Sequence, residues 1–508
     1  VETYAFDIDV KRDGRTLVEI GDFRLRKNTV TFLFGESGIG KSIAAKAMFG
    51  LLDPQEFDAT VNAEPYADYL AKPRTVRFQQ NGCFVFQEPS SHLNPLLRLE
   101  EQLTEGSLAR AKTGGEIVRS LWKDSDAAAI RQILEVFPKP YRPSGGEKQR
   151  ILCAMAFMKM DLLSEGSPAE DALFVFDEPT GSLDNTYRDV VLEMMFERFR
   201  RRRCTILMIT HDYSMISVVT GRYGDLLDSV AFEELSLGRG GLRLAEFAPR
   251  TYTGWVEEQR RSHQGGGRRD EREPILRIES GLQAFGRTLH FSREPGGRTH
   301  CPLELFPESI SYLKGASGMG KTTVVKMAIG LLRGTRFRGL LGSVPLTERT
   351  PSEYYARHVW GKRMTMVFQH ADEALNLRST VQEVLNGLPT ARTLEKERTQ
   401  REVRALFVEG ADEAFLDRKV GTLSGGQKQR LNLLRALLLE TDVLILDEPL
   451  NGLDFASMRG VLHRLEGKIR RGSAILVISH NEEIFDAWVA PGNVYYLSGG
   501  PAGASPLA

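Results

Sequence analysis

The sequence predicts an α/β chain made of two successive units of one kind, each built on a largely parallel sheet. Three observations predict it. The same short motifs occur twice in the same order, with 280 residues between Lys41 and Lys321. In each set an apolar run of strand type, 30–34 or 310–313, enters a glycine-rich turn and then a helical stretch, 43–52 or 323–332, the pattern of strand, loop and helix. The 508 residues also suffice for two large units that each bury a core. Internal repetition takes precedence over local readings.

Composition narrows the classes. Hydrophobic residues make up 41%, charged residues 26%, and the formal net charge is zero, so no global basic field favours nucleic acid. The arginine run 200–203 reads as a solvated face. No run of about 18 apolar residues and no charged-then-apolar leader is found, which places the chain in the cytosol. Cys83, Cys153, Cys204 and Cys301 are scattered without a short pairing interval, as small core residues in a reducing compartment would be.

The first motif, GESGIGKS at Gly35–Ser42, recurs as GASGMGKT at Gly315–Thr322. This spacing lets backbone N–H groups wrap phosphate oxygens over a helix N-terminus, with a lysine charge and a hydroxyl for Mg²⁺. The candidate phosphate-binding residues are Gly35, Ser37, Gly38, Gly40, Lys41 and Ser42, then Gly315, Ser317, Gly318, Gly320, Lys321, Thr322 and Thr323. A β-rich run then ends at Gln87 or Gln369, and a polar helical insert follows, about 97–137 and 379–416.

PSGGEKQR contributes Ser144, Gly145, Gly146 and Glu147; LSGGQKQR contributes Ser424, Gly425, Gly426 and Gln427. Helical stretches follow, 149–158 and 429–439. The all-apolar segments LFVF and VLIL read as central strands buried on both faces, and they deliver Asp177 and Asp447 to strand C-termini, the ligand-binding edge of a parallel sheet. A carboxylate there suits Mg²⁺ beside a triphosphate. Glu178 and Glu448 come next, placed to orient or deprotonate the attacking water. His211 and His480 each follow an apolar strand, 205–209 and 474–478, and are candidates for a γ-phosphate contact.

Residues 1–248 and 274–498 are expected as the two units. The charged, Gly-broken stretch 249–273 reads as a flexible linker and 499–508 as a disordered tail.

Together these residues resemble the ATP-binding cassette family through its Walker A, Q-loop, signature, Walker B, D-loop and H-loop motifs. The D-loops are SLD ending at Asp184 and GLD ending at Asp454. The resemblance spans nearly the whole chain. It implies two P-loop NTPase domains, each a RecA-like core with an antiparallel β subdomain and an inserted helical subdomain. It also implies ATP and Mg²⁺, with Gln87 and Gln369 joining Ser42, Asp177, Thr322 and Asp447 around the metal. The family arrangement is a head-to-tail sandwich, in which ATP on Lys41 meets Ser424–Gln427 and ATP on Lys321 meets Ser144–Glu147. The first signature departs from the family's usual LSGGQ: Pro143 removes a backbone donor and Glu147 adds a carboxylate, so the Lys321 site is expected to be the slower. Tyr4, Phe6 and Phe285 are candidates for stacking on adenine.

The segment QEPSSHLNP at Gln87–Pro95 is similar to the stretch after the Q-loop in the oligopeptide, dipeptide and nickel importer ATPases, and QHADEALNL at Gln369–Leu377 is a weaker echo. This implies a peripheral subunit on the cytoplasmic face of the inner membrane. Its partners would be two permease subunits, inserting coupling helices beside Gln87 and Gln369, and a solute-binding protein. Peptides or metal chelates are the first expectation for cargo, and no nucleic acid is expected. That family's C-terminal cysteine cluster is missing here. The alternatives are a soluble twin-cassette ATPase acting on ribosomes or nucleic acid, and an exporter ATPase.

Overall fold

The computed structural model describes residues 2–106, 108, 114–123, 125–139, 143–163, 171–181, 185–238, 241–263, 272–316, 318–388, 396–407 and 413–501. Two compact units divide the chain, 1–251 and 252–508.

In the first unit the strands of the main sheet lie in the order Gly241–Glu246, Val230–Gly238, Val30–Gly35, Thr205–Ile209, Leu173–Asp177, Cys83–Val85. All are parallel except the first. The three central strands are buried along their whole length, which is why they read as unbroken apolar runs. A separate antiparallel sheet contains Thr3–Arg12 and Arg15–Arg26. The first of these alternates, burying Tyr4, Phe6, Ile8 and Val10. Those side chains share one core with Ala44, Ala45 and Met48 of the helix Lys41–Phe49 and with Leu33, Leu173 and Leu207 of the parallel sheet. The helix is thus packed between two sheets, which fixes the loop at its N-terminus.

The second unit repeats this plan. Its main sheet runs Leu282–Ala284, Arg287–Ser292, Val494–Pro501, Ile310–Lys314, Ala474–Ile478, Val443–Asp447, Met364–Val367. The last five strands are mutually parallel; Arg287–Ser292 runs antiparallel to them and Leu282–Ala284 antiparallel to Arg287–Ser292. A four-stranded antiparallel sheet accompanies it. The inserts contain short helices, Leu99–Leu103, Gly114–Leu121 and Ala127–Leu134 in one unit, Val381–Asn386, Lys396–Leu406 and Glu413–Leu416 in the other.

One expectation needs correction. The first fifteen residues of the stretch read as a flexible linker form the helix Pro249–His263. Tyr252, Trp255 and Val256 fall at helical spacing and are buried, so the segment carries an apolar face that a charge-weighted reading passes over. In the expected tail, residues 499–501 complete the strand Val494–Pro501 beside Arg287–Ser292; 502–508 lie outside the described residues. The thiols behave as core groups: burial pushes Cys83 up to about 11 and Cys153 and Cys204 up to about 12.

Candidate functional site

Each phosphate loop leaves a buried strand and enters a helix capped by a left-handed glycine, Gly40 at φ 110° or Gly320 at φ 103°. A Cβ on Gly40 would run into Val18 Cγ2, and one on Gly320 would lie 3.3 Å from Leu289 Cδ1. Only glycine allows both the conformation and the close approach. Lys41 is buried and donates to the carbonyls of Gly35 (2.7 Å) and Glu36 (2.9 Å). Lys321 does the same with Gly315 (2.6 Å) and Ala316 (3.2 Å). Each ammonium therefore sits inside its loop, where phosphate oxygens would meet it.

The hydroxyl and the strand-end carboxylate come together in both units. Ser42 Oγ donates to Asp177 Oδ1 at 2.9 Å, and Thr322 Oγ1 to Asp447 Oδ2 at 2.7 Å. These are hard oxygen donors, one carboxylate and one hydroxyl per site. That set fits Mg²⁺, which keeps most of its shell for water and phosphate. Burial pushes Asp177 up to about 6, with Glu178 adding to it against the Ser42 bond, and burial raises Asp447.

Glu178 and Glu448 adopt left-handed backbone, φ 45° and 50°. Their N–H groups donate to the adjacent strand at Ile209 O (3.0 Å) and Ile478 O (2.8 Å). The same strain at both equivalent carboxylates, of order 1–3 kcal/mol each, is characteristic of functional positions. Their surroundings differ. Glu178 Oε2 accepts from Gln87 Nε2 at 2.9 Å, and Oε1 stands 3.3 Å from His211 Nδ1. Burial pushes this carboxyl up, but the His211 charge and bond, Lys41 and Gln87 outweigh it and hold it at about 2. Burial likewise lowers His211, and Glu178 reverses this, raising it. Glu448 instead accepts from Ser479 Oγ (2.9 Å) and His480 N–H (3.1 Å), with His480 Nε2 3.6 Å away. Burial, with Asp447 beside it, pushes Glu448 up to about 7 despite those bonds.

Gln369 is exposed and does not reach Glu448 through a hydrogen bond among the described residues. Ser479 was missed by sequence reasoning, although its place just before His480 offered a signal.

The signature segments begin the helices Gly145–Leu162 and Gly425–Leu438. Both are capping boxes. Glu147 N–H donates to Ser144 Oγ (3.2 Å) while Ser144 N–H donates to Glu147 Oε2 (2.6 Å); Ser424 and Gln427 repeat this at 3.1 Å each way. Both serine hydroxyls only accept in these bonds, so their own O–H can still serve a phosphate. Gln427 spends its amide oxygen and keeps an NH₂ donor, whereas Glu147 has only a second carboxylate oxygen to present. The S-x-x-E/Q spacing was readable in the sequence.

Within each unit the signature helix also grips the segment around the glutamine. Lys148 Nζ donates to Ser90 Oγ (2.9 Å) and Gln149 Nε2 to Phe86 O (3.2 Å); Lys428 pairs with Asp372 (3.0 Å) and Asn432 Nδ2 donates to Phe368 O (3.4 Å). Asp454 is the N-cap of Phe455–Ile469, accepting from Ser457 N–H at 2.7 Å. Asp184 and Ser317 lie outside the described residues.

The adenine-stacking candidates separate cleanly. Tyr4 and Phe6 are core residues, 2% and 0% exposed, and Tyr4 O–H donates to Asp171, so neither can face a base. Phe285 is 78% exposed at a hairpin tip with φ 50°. Arg287 Nη1 ties this hairpin to the phosphate loop at Gly318 O, 3.3 Å.

Two parallel-sheet units, each with a lysine-bearing phosphate loop, a Mg²⁺-compatible hydroxyl–carboxylate pair and an adjacent glutamate, buried at Glu448 and partly buried at Glu178, define a twin P-loop ATPase. The chain belongs to the ABC transporter family, whose model matches residues 19–181 and 299–451. It is 28% identical to the Escherichia coli K12 protein described as the uncharacterized ABC transporter ATP-binding protein YejF, covering 93% of this chain and 89% of that one. It is 27% identical to the Agrobacterium fabrum peptidoglycan transport ATP-binding protein YejF, over 93% and 87%. With the Escherichia coli O157:H7 glutathione import ATP-binding protein GsiA the identity is 24%, over 91% and 79%. Among solved structures it is similar to the RNase-L Inhibitor, with a TM-score of 0.61 at 18% identity over 96% of this chain and 89% of that one, a likeness of fold alone.

Proposed function

We propose that this chain is the ATP-hydrolysing subunit of a solute importer, working through separate membrane permeases. The loops at Lys41 and Lys321 take the triphosphates. Ser42 with Asp177, and Thr322 with Asp447, hold Mg²⁺, joined by Gln87 and Gln369; the ion supplies charge stabilisation of the transferring phosphoryl group. Glu178 and Glu448 orient the attacking water and accept its proton, while His211 and His480 contact the γ-phosphate. The family resemblance implies that in the ATP-bound state each signature serine completes the nucleotide site of the other unit. Membership of the family supports the ATPase chemistry.

The observation that carries the transport reading is an apolar cavity of about 350 Å³ in the second unit. Leu331, Trp360, Met366, Phe368 and Leu388 line it, next to Gln369. An open apolar cleft beside Gln369 suits an amphipathic helix from a membrane partner. In the first unit Leu96 of the segment after Gln87 is 81% exposed. No helix among the described residues is long and apolar enough to cross a membrane. The names of the relatives, peptidoglycan transport and glutathione import, favour peptide-like cargo delivered by a solute-binding protein, with the ATPase on the cytoplasmic membrane face.

Affinity purification of the full chain from native membranes tests this. Permease subunits should co-purify, and Phe368→Glu should release them while leaving ATP binding intact. Recovery of ribosomal particles without permeases would overturn the reading.

A further inference from the structure

We propose that the helix Pro249–His263 is a brace for the second nucleotide site, with Tyr252 the positioning residue that holds the segments bearing Asp454 and His480 in register. The inference rests on reading those two residues as members of that site.

The helix places Tyr252 and Trp255 against one ring. Their centroids lie 5.9 Å and 5.4 Å from that of Phe455, Trp255 meeting it edge-on at 88°. Tyr252 is fully buried, and its O–H donates to Glu483 Oε2 at 3.0 Å. Phe455 directly follows Asp454 and opens the helix Phe455–Ile469 that Asp454 caps. Glu483 lies in the helix Glu482–Trp488, three residues after His480, whose N–H donates to Glu448. One tyrosine therefore touches both elements, the ring on one and the hydroxyl on the other. Farther along, His263 meets Trp488 of the same helix at 6.2 Å.

The first unit shows what this contact replaces. There Arg188, in the helix Asn185–Arg201, donates to Asp212 Oδ2 at 3.2 Å and to Ser214 Oγ at 2.6 Å, and Ser214 Oγ donates to Asp212 Oδ1 at 2.6 Å. Asp212 is the residue after His211. One arginine thus ties the helix following the first GSLD motif to the histidine segment, inside the unit. Counting from the two motifs, Arg188 corresponds to Met458, Asp212 to Asn481, Ser214 to Glu483 and Asn185 to Phe455. The second unit has exchanged the charged tie for a buried methionine and carries instead an aromatic residue and a carboxylate where the helix docks. An ion-paired tie is local to its own sheet. The aromatic one is also internal to its unit, but it comes from the helix with which the second unit opens, an element the first unit's tie does not use.

The test is Tyr252→Phe in the full chain, which keeps the ring and removes only the hydroxyl. It is measured with first-site hydrolysis silenced by Glu178→Gln and, separately, with the second silenced by Glu448→Gln. In the Glu178→Gln background kcat should fall roughly three- to tenfold, the effect expected when one hydrogen bond to a charged group is lost from a positioning contact. KM for ATP should not change, any fall in the thermal midpoint should be the same in both backgrounds, and in the Glu448→Gln background kcat should be unaffected. Equal effects in both backgrounds, or none in either, would overturn the brace. Should the Glu178→Gln parent show no turnover, the fault lies with the site reading. Amide exchange then decides the brace: residues 454–457 and 480–483 should exchange faster in Tyr252→Phe than in the unsubstituted chain, and unchanged exchange would sink it.

Discussion

Replacing Phe285 with glycine should move stability and nucleotide affinity in opposite directions. The residue is 78% exposed with φ 50°, so its side chain contributes little packing while its backbone is strained. Relieving a left-handed non-glycine residue returns about 1–2 kcal/mol, less the roughly 0.5–1 kcal/mol that glycine costs in chain entropy. The net gain, between about zero and 1.5 kcal/mol, corresponds to a rise of up to roughly 6 °C in the midpoint of a unit this size. If the ring stacks on adenine, its loss removes about 1–3 kcal/mol of binding, a factor of roughly 5 to 150. Titration of ATP into Lys41→Ala protein, where only the second site binds, reads the affinity, and tripolyphosphate serves as the base-free control. The ATP constant should weaken and the tripolyphosphate constant stay the same. Asp13 occupies the matching tip of the first unit at φ 52°, one residue before the shared Gly-Arg-Thr-Leu run, so Asp13→Gly should leave first-site affinity unchanged. An equal loss for ATP and tripolyphosphate, or none for either, would refute the stacking argument.

Other outcomes follow from the same geometry. Glu178→Gln should reduce steady-state turnover more than Glu448→Gln if, as the family resemblance implies, the nucleotide on Lys321 meets the donor-poor Glu147 signature; equal losses would count against the asymmetry, and Glu147→Gln should narrow it. Gly40→Ala should destabilise the first unit and weaken its nucleotide binding more than Gly320→Ala does the second, since only Gly40 abuts Val18 closely; calorimetry of both variants gives the comparison. Glu233 lies across from Glu246 on the neighbouring strand. Burial, with Glu246 adding to it, pushes its carboxyl from 4.5 up to about 7. The folded value lies above the unfolded one, so the penalty is absent below pH 4.5, grows as pH rises toward 7, and is complete above it, at most about 3 kcal/mol. Urea unfolding at pH 5 and pH 8 should show this decline, and Glu233→Gln should flatten it; identical slopes in both proteins would exclude Glu233 as the source.

Much of the candidate site was legible because its parts are local. A phosphate loop needs glycines, a lysine and a hydroxyl at fixed intervals, and a fully buried strand must be apolar from end to end, so Lys41, Ser42, Asp177 and their partners could be placed from spacing. The capping boxes at Ser144 and Ser424 were equally readable. Faces were harder. Tyr4 and Phe6 sit on an alternating strand, and alternation says that one face is buried without saying whether that face meets a core or a ligand.

The sequence by itself determined that the chain repeats one unit of the family and which residues each copy gathers in its glycine-rich loop and at its strand ends, since those constraints lie within a few residues of one another. Only the tertiary structure decided that Glu178 is held by Gln87 and His211 while Glu448 rests on Ser479, and that a stretch read as linker docks as a helix on Phe455 and Glu483. Those contacts join residues up to 231 positions apart, and each depends on which surfaces the packed sheets leave facing one another.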